Sequence, residues 1–227
     1  MSRRIDASIH AVIRNATRLL QDAEYLEFSE PPVTAWYLAR TAQEELAKAF
    51  MLCLTSRGVV PWSSHVLRAL RDHKCKQLLC VVMDYLEPDN AEFFARIDEV
   101  VQKNQLPSMP RRVADALNIL RYEKIGRWVS QSWEWAEDPD YDDEALSIAK
   151  GKEDVPKQDA LYVRIGKDGT LASTPLDHSH LRHKEEMERA GRYKRLVESL
   201  LEGSDHPGLD WDEVENALRL LFSDVEK

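Results

Sequence analysis

With 227 residues, 43% hydrophobic and 31% charged, the chain is long enough for one domain with a sizeable core. A formal net charge of −9 argues against a general nucleic-acid coat, and no apolar run approaches the ~18–20 residues of a bilayer span. Eight Gly and ten Pro are few turn residues for this length, which favours long helices over many short strands.

The start Met-Ser-Arg-Arg-Ile-Asp has no hydrophobic stretch behind it, so no signal peptide and a cytoplasmic protein are expected. Ile9, Val12, Ile13, Ala16, Leu19, Leu20 and Ala23 recur at helical spacing and predict a first helix over 5–28, stopped by Ser29-Glu-Pro-Pro32. A second helix is predicted over 33–55, with Gly58 and Pro61 in the turn after it. Ser63 or Ser64 then caps a third helix that runs unbroken to Leu86, ahead of Pro88. A short helix over 91–103, a break at 105–110 and a helix over 111–135 follow. The acids Glu134, Glu137, Asp138, Asp140, Asp142, Asp143 and Glu144 read as part of a mobile loop.

The period then changes. Residues 160–165 and 170–174 alternate around Gly166-Lys-Asp-Gly169, a β-hairpin with an Asp-Gly turn that should pack on the helices, since two strands alone are marginal in water. Helices return over 178–202 and 211–222. The expected architecture is all-α with a hairpin insertion and C-terminal helices. It forms one domain overall: a helical core at 1–135, the acidic loop at 136–159, the hairpin at 160–175 and the C-terminal helices at 176–227.

Acids, a histidine and cations cluster on the second and third helices. At ~100° per residue, Trp36, Ala39, Ala42, Leu46, Phe50 and Cys53 share one side of the second helix and should face the core. Glu44 and Lys48 fall on the polar side as an i, i+4 pair. Glu45 falls at the rim of the core, where a carboxylate wants a cation such as His73 or Lys76. On the third helix Ala69, His73, Lys76 and Cys80 make one stripe whose small members would admit a neighbouring helix or a second subunit. Residues 57–76 carry Arg57, Arg68, Arg71, Lys74 and Lys76 against Asp72 alone, a local basic patch suited to an anionic ligand or simply a solvated face.

Other features read more plainly. Cys53, Cys75 and Cys80 have no metal spacing and are expected as buried reduced thiols. His178, His180 and His183 do not share a helical face in the i, i+4 manner, so no metal and no cofactor are expected; a helix start beside an anion accounts for them as well. Trp128, Trp133 and Trp135 are expected in the core or at a dimer contact rather than as a base-stacking platform.

The run 35–49 with Glu44-Glu45-Leu-Ala-Lys48, followed by Asp72-His73-Lys-Cys-Lys76, resembles the AbiV-type abortive-infection proteins, a branch of the HEPN superfamily. Lys157-Gln-Asp-Ala-Leu-Tyr-Val163, the Gly166–Gly169 turn and Pro175 are similar to that family's hairpin ending in a proline; the likeness spans about residues 5–200. The resemblance implies a HEPN-like helical bundle, a homodimer and a role in bacterial anti-phage defence. Many HEPN proteins are metal-independent ribonucleases marked by an arginine and, four to six residues on, a histidine. Arg68-Ala-Leu-Arg-Asp-His73 meets that spacing but has Ala69 where a polar residue is typical.

The expected function is therefore RNA cleavage. His73 would be general base or acid and Arg68 would stabilise the phosphate; Glu45, with Glu44, would orient them, and Lys48, Lys76 and Arg71 would contact substrate. The alternative is a non-catalytic helical module that binds a phage or host protein, with the charged cluster structural. RNA, a second copy and a phage or host trigger are the expected partners; a membrane is not.

Overall fold

The computed structural model describes residues 2–26, 28–29, 32–103, 108–126, 140–178, 182–205 and 207–223. Helix α1 (Ser2–Tyr25) lays its apolar stripe, with Ile9, Ala16, Leu19 and Ala23 buried, along α2 (Val33–Ser56). Helix α2 is the centre of the bundle. Fifteen of its 24 residues are buried, so it has no wide solvent face, the mark of a helix packed on several sides. It meets α1, α4 (His73–Leu86) and α9 (His183–Leu201). The expected inward residues Trp36, Ala39, Ala42, Leu46, Phe50 and Cys53 are all buried.

The third predicted helix is two helices. Helix α3 (Ser64–Ala69) begins at Ser63, whose hydroxyl accepts from the Val66 N–H. The chain then turns, and Asp72, in extended backbone geometry, accepts from the Cys75 N–H and starts α4 afresh. A capping carboxylate satisfies otherwise orphaned amides; without Gly or Pro in the turn, apolar periodicity runs straight through it. The break dissolves the predicted small-residue stripe. Ala69 is 1% exposed and sits in the core, and the Cys80 thiol lies 3.8 Å from the Gln43 carbonyl, so both small residues are used for packing within the chain.

Helix α5 (Asn90–Lys103) is followed by α6 (Arg111–Asn118), which widens into a π-helical segment at Ile119–Gly126. Trp128, Trp133, Trp135 and the first acids of the 134–144 run lie outside the described residues. The predicted loop at 136–159 instead contains α7 (Asp143–Ala149) and α8 (Asp154–Asp159). Asp142 caps α7 by accepting from the Glu144 and Ala145 N–H groups. Acids that look like loop by composition are favourable at a helix N-terminus, where unpaired amides and the helix dipole present positive charge.

The hairpin is shorter than predicted, β1 (Arg164–Ile165) paired antiparallel with β2 (Leu171–Ser173) across the Asp168-Gly169 turn, with Gly169 at φ +81°. It does not pack on the helices as expected: Ile165 is 61% and Leu171 60% exposed. What fixes it is local, the Asp168 carboxylate accepting from the Thr170 N–H and hydroxyl, and an Arg164–Asp159 ion pair of 2.9 Å. A 3-10 turn at Pro175–His178 touches α2, and α9 begins only at His183. Helix α10 (Trp211–Ser223) buries Trp211, Val214, Leu218 and Phe222 against the bundle. The chain belongs to the all-α class with one small hairpin, and among the described residues no helix is long and apolar enough to cross a membrane.

The loop before α10 is pinned to α4 by the Leu209 N–H on the Leu86 carbonyl at 2.9 Å. A Cβ on Gly208 would stand 2.7 Å from that same carbonyl oxygen and 3.1 Å from the Leu86 Cβ, atoms of the helix backbone and its first side-chain carbon that cannot swing aside. Gly208→Ala is expected to cost about 1–3 kcal/mol, the usual penalty of forced overpacking; urea denaturation of the two proteins checks it.

Candidate functional site

Adjacent residues on a helix point about 100° apart, and on α2 this sends Glu44 and Glu45 to different neighbours. Glu45 faces α1, where it accepts from Lys48 Nζ at 2.5 Å and Asn15 Nδ2 at 3.2 Å. Glu44 faces α4 and α8. The predicted assignment is thus reversed: Glu44, 3% exposed, is the buried acid, and Lys48 is bound to Glu45 rather than to Glu44.

Four donors converge on Glu44. His73 Nδ1 lies 2.6 Å and Lys76 Nζ 3.1 Å from Oε2. Lys157 Nζ lies 2.5 Å and Gln77 Nε2 3.1 Å from Oε1. Gln77 Nε2 also donates to Asp154 Oδ1 at 2.9 Å, which ties α4 to α8. Burial alone would raise the Glu44 carboxyl, but Lys157, Lys76 and His73 outweigh it and bring it from an ordinary 4.5 down to about 2. It is therefore a carboxylate at neutral pH, with its positive partners almost as deeply buried: the Lys76 and Lys157 side chains are each 8% exposed.

His73 differs from the others. It is the first residue of α4, and its side chain is 60% exposed. An ionised carboxylate only accepts hydrogen bonds, so the 2.6 Å contact puts a proton on Nδ1 and leaves Nε2 as the lone-pair nitrogen of the neutral ring. A buried acid thus fixes the tautomer and orientation of an imidazole that faces solvent.

Arg68 lies in the last turn of α3 and Arg71 in the α3–α4 turn; both are exposed. The Arg68 carbonyl accepts from the Arg71 and Asp72 N–H groups at 3.0 and 3.1 Å, a tight turn leading directly to His73. The structure therefore gathers Glu44, His73 and Lys76 at one place, sets Arg68 and Arg71 on the turn before it, and leaves Glu45 and Lys48 at the α1–α2 seam. Lys157 and Gln77 were missed as site residues. Lys157 stands 113 positions from Glu44, and its signal was its place at the head of the second family-like motif; Gln77 adjoins Lys76 but carries no charge to draw the eye.

A second polar layer extends from the site toward α9. Arg40 pairs with Glu153 at 3.3 Å and Glu186 at 3.5 Å, Gln43 donates to Glu186, and Arg189 and Arg192 meet Asp84 at 3.5 and 3.2 Å. Burial pushes the Cys53 and Cys80 thiols up to about 12 and the Cys75 thiol higher still, so all three free cysteines are protonated at neutral pH. His180 lies outside the described residues; His183 opens α9 with its Nε2 buried and unpartnered among the described residues. Among those residues, no three His, Cys, Asp or Glu side chains are grouped to hold a metal ion.

The profile of one protein family, AbiV of the HEPN class, matches residues 4–195, most of the chain and all of this site. The chain belongs to the AbiV family. No curated protein and no solved structure matches it significantly. As an AbiV-type protein it falls among the abortive-infection HEPN proteins, and the family match spans all four donors to Glu44, Lys157 included.

The Glu44 carboxyl gives a pH signature. Depression from 4.5 to about 2 is worth roughly 3 kcal/mol at about 1.4 kcal/mol for each pH unit. Because the folded value lies below the unfolded one, this stabilisation is complete above about pH 4.5 and is lost as pH falls toward 2. At pH 7 Glu44→Gln is expected to cost roughly 3 kcal/mol, leaving two buried ammonium groups short of an anion. Glu45→Gln should cost about 1 kcal/mol or less. Denaturation series at pH 7 and pH 3 check both, the gap between wild type and Glu44→Gln narrowing at the lower pH.

Proposed function

We propose that this AbiV-type protein is a metal-independent endoribonuclease of phage defence, with His73 as the reacting group. The observation that carries the reading is the Glu44–His73 pair: a buried carboxylate holds Nδ1, and the ring is 60% exposed. His73 Nε2 takes the proton of a ribose 2′-OH, and that oxygen attacks the adjacent phosphorus as the P–O5′ bond breaks. The imidazolium returns its proton to the departing oxygen, giving a 2′,3′-cyclic phosphate and a 5′-OH. Arg68 and Arg71, exposed on the preceding turn, bind the phosphate and stabilise charge building on its oxygens. Lys76 and Lys157 act indirectly: locked on Glu44, they keep it ionised and in place. Glu45 and Lys48 take no part in the chemistry. The protein works in the cytoplasm as a homodimer and answers a phage or host trigger.

A second reading has its own support. Glu44 is so fully engaged by two buried lysines, and Ala69 so deep in the core, that the cluster would also serve as a purely structural ion-pair net in a module that binds a phage or host protein.

The two readings part on His73→Ala. Incubated with RNA in EDTA, wild type is expected to cleave and His73→Ala to lose at least about a hundredfold in rate, while its thermal melt stays close to wild type because the ring is exposed. Intact RNA with wild type under every activating condition would remove the ribonuclease reading. A large fall in melting temperature without any cleavage to lose would favour the net. Sedimentation of the purified protein is expected to give twice the 26.2 kDa chain mass.

A further inference from the structure

Beside His73 lies a cavity of about 200 Å³ that opens to solvent. Tyr37, Leu161 and Tyr162 line it together with the polar groups of His73, Asp154, Lys157 and Gln158. The volume falls below the ~300 Å³ at which sites for drug-sized ligands begin, which suits a single planar heterocycle.

The walls are asymmetric in a useful way. The Tyr37 ring already faces a cation, with Lys157 Nζ 5.7 Å from its centroid. Tyr162, three residues past the end of α8, is 63% exposed, and its backbone N–H donates to the Gln158 carbonyl at 2.9 Å. An aromatic ring left in water beside a cavity offers a stacking surface for an unpaired base. Asp154, whose Oδ1 accepts from Gln77 Nε2, is the one carboxylate among the residues lining the cavity. A carboxylate selects ligands that present N–H groups; adenine, cytosine and guanine offer a two-hydrogen exocyclic amine, whereas uracil offers only its ring N3–H flanked by two carbonyls.

We propose that this cavity is a nucleobase subsite. It takes one unstacked, amino-bearing base (adenine, cytosine or guanine) of single-stranded RNA, which stacks on Tyr162, hydrogen-bonds Asp154 and sets its ribose beside His73. The placing of the ribose rests on the ribonuclease reading; the base pocket does not. Lys157 joins the two functions, since the side chain that lines the cavity also holds Glu44. Duplex RNA is excluded, because its paired bases keep their edges inside the helix.

The test separates the subsite from the chemistry by using 2′-O-methyl oligonucleotides, which lack the attacking hydroxyl and bind without being cut. Fluorescence anisotropy with oligo-A, oligo-C and oligo-U is expected to rank both amino-bearing sequences above oligo-U. Tyr162→Ala should weaken oligo-A binding about tenfold, within the range for loss of one base–aromatic stack, and Tyr162→Phe should restore it. Asp154→Asn should narrow the preference over oligo-U, with a thermal melt run alongside because Asp154 also anchors Gln77. On cleavable RNA, Tyr162→Ala should raise KM. Equal affinity of wild type and Tyr162→Ala for every oligonucleotide, or a preference for oligo-U, overturns the subsite. Binding in the predicted order with no cleavage of ordinary RNA leaves the subsite standing and removes the ribonuclease reading alone.

Discussion

A carboxylate taken out of water must be met by enough positive charge and hydrogen bonding to replace its hydration, and in this protein that requirement falls on Glu44. It sits on α2, a helix packed on several sides, at 3% exposure. Its partners come from α4 and from α8, more than a hundred residues downstream. The α8 segment, only six residues long, is far too short to be stable by itself. Lys157 on Glu44 and Asp154 on Gln77 fasten it to the bundle together with Arg40 on Glu153 and Ala160 against Val33 and Trp36, so the interaction that neutralises the acid also places a residue that lines the cavity beside His73.

The arrangement divides roles among residues of like charge. Lys76 and Lys157 are buried and bound to the acid, whereas Arg68 and Arg71 are exposed. Lysine's single compact ammonium on a flexible stem suits a contact with a buried carboxylate oxygen. The α9 side repeats the principle without exposing a reactive group: Arg40, Arg189 and Arg192 meet Glu153, Glu186 and Asp84, and bind α9 to α2 and α4.

Much of this was legible in the residues. Apolar periodicity marked α1, α2, α5 and α10 closely, and the charged cluster of α2 and α4 was recognisable together with the family it indicates, although Glu45 rather than Glu44 was assigned to His73 and Lys76. The errors have common causes. Periodicity could not see the α3–α4 turn, because Asp72 breaks the helix by capping rather than by an unfavourable backbone. Composition read Asp142–Glu144 as loop, although the same acids suit a helix start. The hairpin was expected to be buried on general grounds, whereas local bonds around Asp168 and the Arg164–Asp159 pair hold it in the open.

The sequence by itself determined the helical class, the family and the residues able to do acid–base chemistry, since those depend on residue type and short-range spacing. It could not determine which of two neighbouring glutamates is the buried one. A helical wheel assigns an inside from the apolar residues, and on a helix packed on several sides nearly every direction is inside. Only the tertiary structure decided that α4 and α8 lie against the Glu44 side while α1 lies against Glu45. That choice, made by packing between segments far apart in the chain, leaves His73 oriented by a buried acid and open to solvent.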